Sequence, residues 1–418
     1  MVEHRVLNKD KNSLSLVLGS VLFCIFAFSN SVAYLIFLGQ LPPIRLTVIY
    51  IILSILILAK FAIDFMRYWP NVKLTFYEIT GWMLLAWIAI LHFVWYPEIV
   101  RAGGTEEFWK NAAHTLLLTV LMWSTGLAVG RGFNKAHRIS FIRVLLLVTF
   151  LVLGATILWG VLIGQKDYGE VVFYFWNSET RHGFNYLVLA DTLALCGLLL
   201  MGTWQSAPGR QLLTYFLACL FLFFSFSRAA FYLFVFWGAI HLGLSLRRFG
   251  SAVYCVSVLL LLLTLTLLGI YGTGFKNVKA VERMASLITE LRTDPSFQTR
   301  QILLREGVEV LHKNWLLGNY MAEWRETGSL GGYIHNWLSF LVAYGIGPFS
   351  LFIFLTLFLL AKGYLLLRRG TGPTPVVLLL FAFSAIALAR SYVWHFVWFS
   401  LGFVVAYTRD VHLKGGAI

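Results

Sequence analysis

The sequence predicts an all-α polytopic membrane protein with about twelve transmembrane helices and one large helical loop on the outer face. Three observations predict it. The composition is 59% hydrophobic and 12% charged with a mean hydropathy of +0.78, whereas a soluble domain would stand nearer half and a quarter. Apolar runs of about 20 residues, the length that crosses a hydrocarbon core, recur along the chain. One long polar stretch, 274–334, interrupts them.

In order, residues 1–13 are polar and basic, and the run 14–38 that follows is longer than a signal h-region and has no small-residue cleavage site, so it reads as a retained first span. Further spans are expected at 44–65, 74–96, 112–129, 139–163, 184–201, 212–226, 229–246, 252–271, 336–361, 375–389 and 392–407. Two of these divisions split longer runs. The run 212–246 is interrupted only by Ser225-Phe226-Ser227-Arg228, and 376–407 only by Arg390-Ser391. Either is too long for one crossing, so each arginine is expected at a tight hairpin. With the N-terminus inside, both splits leave every loop on the inner face basic, among them Arg131, Arg143, Arg210, Arg368 and Arg409, as the positive-inside rule requires.

That pattern accounts for most of the net charge of +14 without nucleic acid. Cys24, Cys196, Cys219 and Cys255 all lie within apolar runs, which argues against a disulfide framework. The chain reads as one integrated unit: 1–273 with nine spans, 274–334 as the outer loop, and 335–418 with three spans and a tail. Both termini then face the cytoplasm.

The outer face carries cations that topology does not request: Arg101, Lys110, Lys166, Arg181, Arg228, Arg390 and those of the 274–334 stretch. They suit an anionic ligand or lipid phosphates. Asp294-Pro295 reads as a helix start. Helical spacing beyond it puts Phe297, Leu303, Leu304, Gly307, Val308, Val310 and Leu311 on one face and Arg305, Glu306, Glu309, His312 and Lys313 on the other. Arg300 falls on the apolar face, where a guanidinium must snorkel, pair with a buried acid or meet an anion. Arg228 and Arg390, each beside aromatic residues at a membrane edge, suit ligand contact or interfacial anchoring. Arg181 opens the sixth span with His182 and Asn185 close by. His335, where the polar stretch re-enters the membrane, suits either a structural hydrogen bond or proton transfer near neutral pH, with Asn336 able to orient a partner. No acidic pair or His-x-x-x-His in the outer loops calls for a metal.

Ser225-Phe226-Ser227-Arg228-Ala229, then Arg300, Leu317-Gly318-Asn319-Tyr320, His335-Asn336 and Ala343-Tyr344-Gly345-Ile346-Gly347 together resemble the O-antigen ligase (WaaL) family. The resemblance covers about 181–347 in motif and the rest in hydropathy only. It implies a GT-C-like glycosyltransferase of the bacterial inner membrane with its active site facing the periplasm. The implied reaction moves O-antigen from undecaprenyl diphosphate to lipid A-core, without a cofactor or metal. It implies His335 as the catalytic histidine and Arg228 and Arg300 as the essential arginines on the donor diphosphate. Arg181 resembles a basic position in related enzymes, whereas Arg390 joins the set on its sequence context alone. The family's usual Gly-x-Gly after the loop helix stands here as Gly318-Asn319-Tyr320. O-antigen polymerases share the pattern, and a transporter of lipid-linked oligosaccharide remains an alternative for the same layout.

Overall fold

A computed structural model describes residues 19–33, 35–36, 52, 55–56, 59, 74–133, 136–167, 175–177, 182–184, 186–225, 227–246, 295–327 and 334–415. Within these the chain is helical apart from one hairpin. The elements are α1 (Gly19–Ala33), α2 (Phe76–Arg101), α3 (Thr105–Phe133), α4 (Ala136–Asp167), the strands β1 (Phe175–Asn177) and β2 (His182–Phe184), α5 (Tyr186–Thr203), α6 (Pro208–Phe224) and α7 (Arg228–Leu246). They continue with α8 (Pro295–Asn314), α9 (Ala322–Thr327), α10 (Leu338–Tyr344), α11 (Ile346–Arg368), α12 (Thr374–Leu388) and α13 (Phe396–Gly415). Five helices, α2, α3, α4, α7 and α11, are long and apolar enough to cross a membrane, and α1, α5, α6, α12 and α13 contain shorter apolar helices. The expected spans 44–65 and 252–271 lie outside the described residues except for isolated positions.

Burial ranks the helices by depth. The most apolar stretch of α3 is 81% buried, against 33% for α2 and α11, which makes α3 central and the other two peripheral. On α2 the exposed positions Phe76, Ile79, Met83, Trp87, Ile90 and Val94 form a helical stripe that is itself apolar. Lipid is the solvent that tolerates such a stripe. At the centre, α13 lies against α3 so closely that a Cβ on Gly126 or Gly130 would fall 2.1 or 2.3 Å from the carbonyl oxygen of Phe399 or Phe403. Small residues four apart permit this backbone approach between membrane helices.

Both hairpin splits occur. The first long run breaks at Ser225–Ser227 between α6 and α7, and the second at 389–395 between α12 and α13. The expected span 336–361 is instead two helices, α10 and α11, with Gly345 between them at φ +74°. There the Ile346 amide donates to the carbonyl of Trp315, 3.0 Å away, and the Asn319 amide to that of Val342 at 2.6 Å. Gly318, at φ +71°, lies against Ala343 and Gly345 with no room for a side chain. The end of α8 is thereby sewn to the α10–α11 junction.

One end of the bundle is closed by a buried carboxylate. Glu78 forms a capping box with Thr75 in the first turn of α2 and receives Arg131 from the end of α3 at 2.7 Å and Arg409 from α13 at 2.9 Å. Arg131 and Arg409, both expected on the inner face, therefore meet at one end.

Candidate functional site

At the other end, α8 turns toward the bundle the face that the sequence spacing assigns inward. Arg305, Glu306, Glu309, His312 and Lys313 are exposed, Gly307 is buried, and Arg300 is half-buried on the inner side. The missing Cβ of Gly307 makes room for Ile334, whose Cδ1 would otherwise lie 2.1 Å from it. Ile334 is buried and its neighbour His335 half-buried, so one contact with α8 sets the position of the histidine.

Asn336 is committed to the backbone. Its side-chain oxygen accepts the Leu338 amide at 2.9 Å, and its carbonyl accepts the Ser339 hydroxyl at 2.7 Å. The side-chain oxygen of Asn336 thus satisfies the first amide of α10. Ser339 Oγ in turn accepts the Tyr392 amide at 2.8 Å, and the Tyr392 hydroxyl donates to Glu323 at 3.3 Å. These bonds tie α9, α10 and the α12–α13 turn into one platform.

Arg390 leaves the end of α12 inside this platform and is only 6% exposed. Its Nε and Nη2 donate to the two oxygens of Asp191 on α5, at 2.8 and 2.7 Å. Trp394 Nε1 donates to the same carboxylate at 2.8 Å, and Arg390 Nη2 also approaches Ser227 Oγ at 3.4 Å. The fork-to-fork geometry is the strong form of this pairing. An arginine expected on the donor diphosphate is therefore already bound to a carboxylate, with Ser227 in its reach and Arg228 next in the chain as the first residue of α7. Arg228 is half-buried, and its charge acts on Tyr232 one turn along.

These elements converge on His335. Burial first, and then the positive charges of Arg300 and Arg390, hold its pKa down to about 4 from 6.5. The ring is neutral at pH 7. The structure thus brings His335, Arg300 and Arg390 together and puts Arg228 beside Ser227 on the same edge. Arg181 lies outside the described residues, between β1 and β2, whose pairs are Phe175 with Phe184 and Asn177 with His182.

Beneath the platform sits a buried aromatic cluster. Tyr320, fully buried, accepts the Asn111 amide at 3.0 Å and stands 4.0 Å from the His92 ring, centroid to centroid. Met321, next to it, has φ +58°, the one described non-glycine residue in the left-handed region. The turn after α8 therefore has its left-handed positions at Gly318 and Met321.

Asp191 is the residue that sequence reasoning missed. A signal for Asp191 existed: it is the lone acid of the sixth apolar run, and intramembrane acids are functional candidates by default. Among the described residues no group of three or more His, Cys, Asp or Glu side chains converges. Comparison with family models, with curated proteins and with solved structures gives no match.

Proposed function

We propose that this chain is a glycosyltransferase of the O-antigen ligase type, moving O-antigen polysaccharide from undecaprenyl diphosphate to a hydroxyl of lipid A-core at the outer face of a bacterial inner membrane. The observation that carries the proposal is a half-buried His335 on which the positive charges of Arg300 and Arg390 both act, at one end of an apolar helical bundle. Twelve spans in a GT-C-like arrangement with both termini cytoplasmic complete the reading.

In this mechanism the acceptor oxygen attacks the anomeric carbon and its proton passes to His335. The bond from that carbon to the diphosphate breaks, and the electron pair leaves on the phosphate oxygen. Direct attack inverts the anomeric centre. Arg300 and Arg228 stabilise the charge that grows on the leaving group, in surroundings where such stabilisation is strongest. No metal is needed for that step. The diphosphate also changes the base: negative charge arriving beside His335 opposes the two guanidiniums and raises its pKa from about 4 toward the operating pH, where general-base catalysis is most effective. Donor binding thus switches on proton acceptance. Arg390 serves a supporting part, since Asp191 already holds two of its donors.

The test is transfer by purified protein from an undecaprenyl-linked glycan, with lipid A-core or a second glycan as acceptor. Product on lipid A-core supports the ligase. Product only on the second glycan makes the protein a polymerase, and movement of donor across liposomes without transfer makes it a transporter.

A further inference from the structure

A second group of cations sits at the Glu78 end of the bundle, outside the candidate site. Arg143, in α4, places its guanidinium carbon 4.3 Å from the centre of the Trp204 ring, and Arg210, in the first turn of α6, places its own at 4.7 Å from the same ring. Arg143 Nη2 donates to the Thr203 carbonyl at 2.7 Å, while its Nε is buried with no hydrogen-bond partner. The two cations are close enough for Arg210 to act on Arg143. Among the described residues no carboxylate pairs with either one. At the same end, by contrast, Arg131 and Arg409 share Glu78. Two neighbouring guanidiniums stacked on one indole at a membrane boundary are costly without an anion.

The flanks indicate which anion. On α4 the exposed large apolar side chains next to Arg143 are Phe141, Val144, Leu147, Val148 and Leu151, and on α6 those beyond Arg210 are Leu213 and Leu220. Apolar surface therefore runs away from the cations along both helices, toward the bilayer interior. A free phosphate would use the cations and leave that surface idle; a phospholipid uses both. The dipole at the start of α6 adds to the attraction. We infer that Arg143, Trp204 and Arg210 form a binding site for the phosphate headgroup of an anionic phospholipid whose acyl chains lie along α4 and α6. The inference rests on the chain spanning a membrane and is independent of the proposed transfer reaction. Basic pockets between membrane helices hold anionic headgroups in this manner.

The test uses full-length protein in a neutral detergent, with the melting temperature and lipid adducts in native mass spectra followed as phosphatidylglycerol, phosphatidylcholine or inorganic phosphate is added. Phosphatidylglycerol is expected to stabilise the wild type and remain bound, with the other two having little effect. In Arg143→Gln/Arg210→Gln its apparent affinity should fall roughly 30-fold, from about 1 kcal/mol per basic residue. Arg369→Gln, at an exposed arginine elsewhere, should keep the wild-type response. If the double glutamine variant does not fold, Arg143→Lys/Arg210→Lys replaces it and should retain selectivity for the anionic lipid while binding more weakly, since the ammonium lacks the planar fork. Equal response of the glutamine variant and the wild type, undiminished affinity in the lysine variant, no stabilisation by phosphatidylglycerol, or full stabilisation by inorganic phosphate alone would each overturn the lipid site.

Discussion

The two ends of the bundle each bury one carboxylate against arginine, yet they use it differently. At one end Glu78 is saturated by the Thr75 cap, Arg131 and Arg409. At the other, Asp191 is equally saturated by Arg390 and Trp394, but the pair stands within the field of a half-buried histidine and a further arginine on α8. The difference separates a clasp from a site. An ion pair whose lone pairs and protons are all used holds helices together, whereas a cation with field to spare changes the chemistry of its neighbour. Asp191–Arg390 does both.

His335→Ala should break the comparison most severely. Transfer is expected to fall by about 10²–10⁴-fold, the usual worth of a positioned general base, while the melting temperature and donor binding stay near wild type. Activity within a few-fold of wild type would remove His335 from the chemistry. Next in size, Asp191→Ala strands a buried guanidinium and should destabilise the fold by about 3–5 kcal/mol, read from detergent-solubilised unfolding. Adding Arg390→Gln should return part of that loss, and no recovery would mean that the pair is not the origin of the cost.

Glu78→Gln should cost less, about 1–3 kcal/mol. The side chains of its partners Arg131 and Arg409 are 31% and 26% exposed and can turn to water, whereas the side chain of Arg390 is 7% exposed and cannot. Transfer per folded molecule should be unchanged in this variant, and a loss of activity matching that of His335→Ala would erase the distinction between the two ends.

The smallest effect is a shift in titration. Arg300→Gln removes one of the charges on His335 and should raise its pKa from about 4 toward 6.5, measured by NMR of labelled histidine. Because the neutral ring is the active form, the acidic limb of the pH–rate profile should move to higher pH. The linkage has a definite sign. With the folded pKa depressed, the unfolded chain binds more protons between about 4 and 6.5, so the histidine's contribution to stability is present above 6.5 and lost as pH falls to about 4. Arg300→Gln should narrow that window. An unmoved pKa would place Arg300 outside the site.

Much of this arrangement is legible in the chain before folding. The inward face of α8 follows from 3.6-residue spacing alone, because Arg305, Glu306, Glu309, His312 and Lys313 prefer water and Gly307 admits Ile334. The hairpins at Ser225–Ser227 and 389–395 follow from bilayer thickness, which no single run of such length can match. The break at Gly345 escaped, since hydropathy is blind to a left-handed backbone position inside an apolar run.

The sequence by itself determined the helical membrane-type architecture and the inward face of α8, because hydropathy and helical period are properties of the local chain. Only the tertiary structure decided what each charge meets. Asp191 and Arg390 are separated by 199 residues, and Glu78 and Arg409 by 331. A buried charge selects its partner by distance in space and by the cost of being left alone, and neither quantity is written in the order of residues.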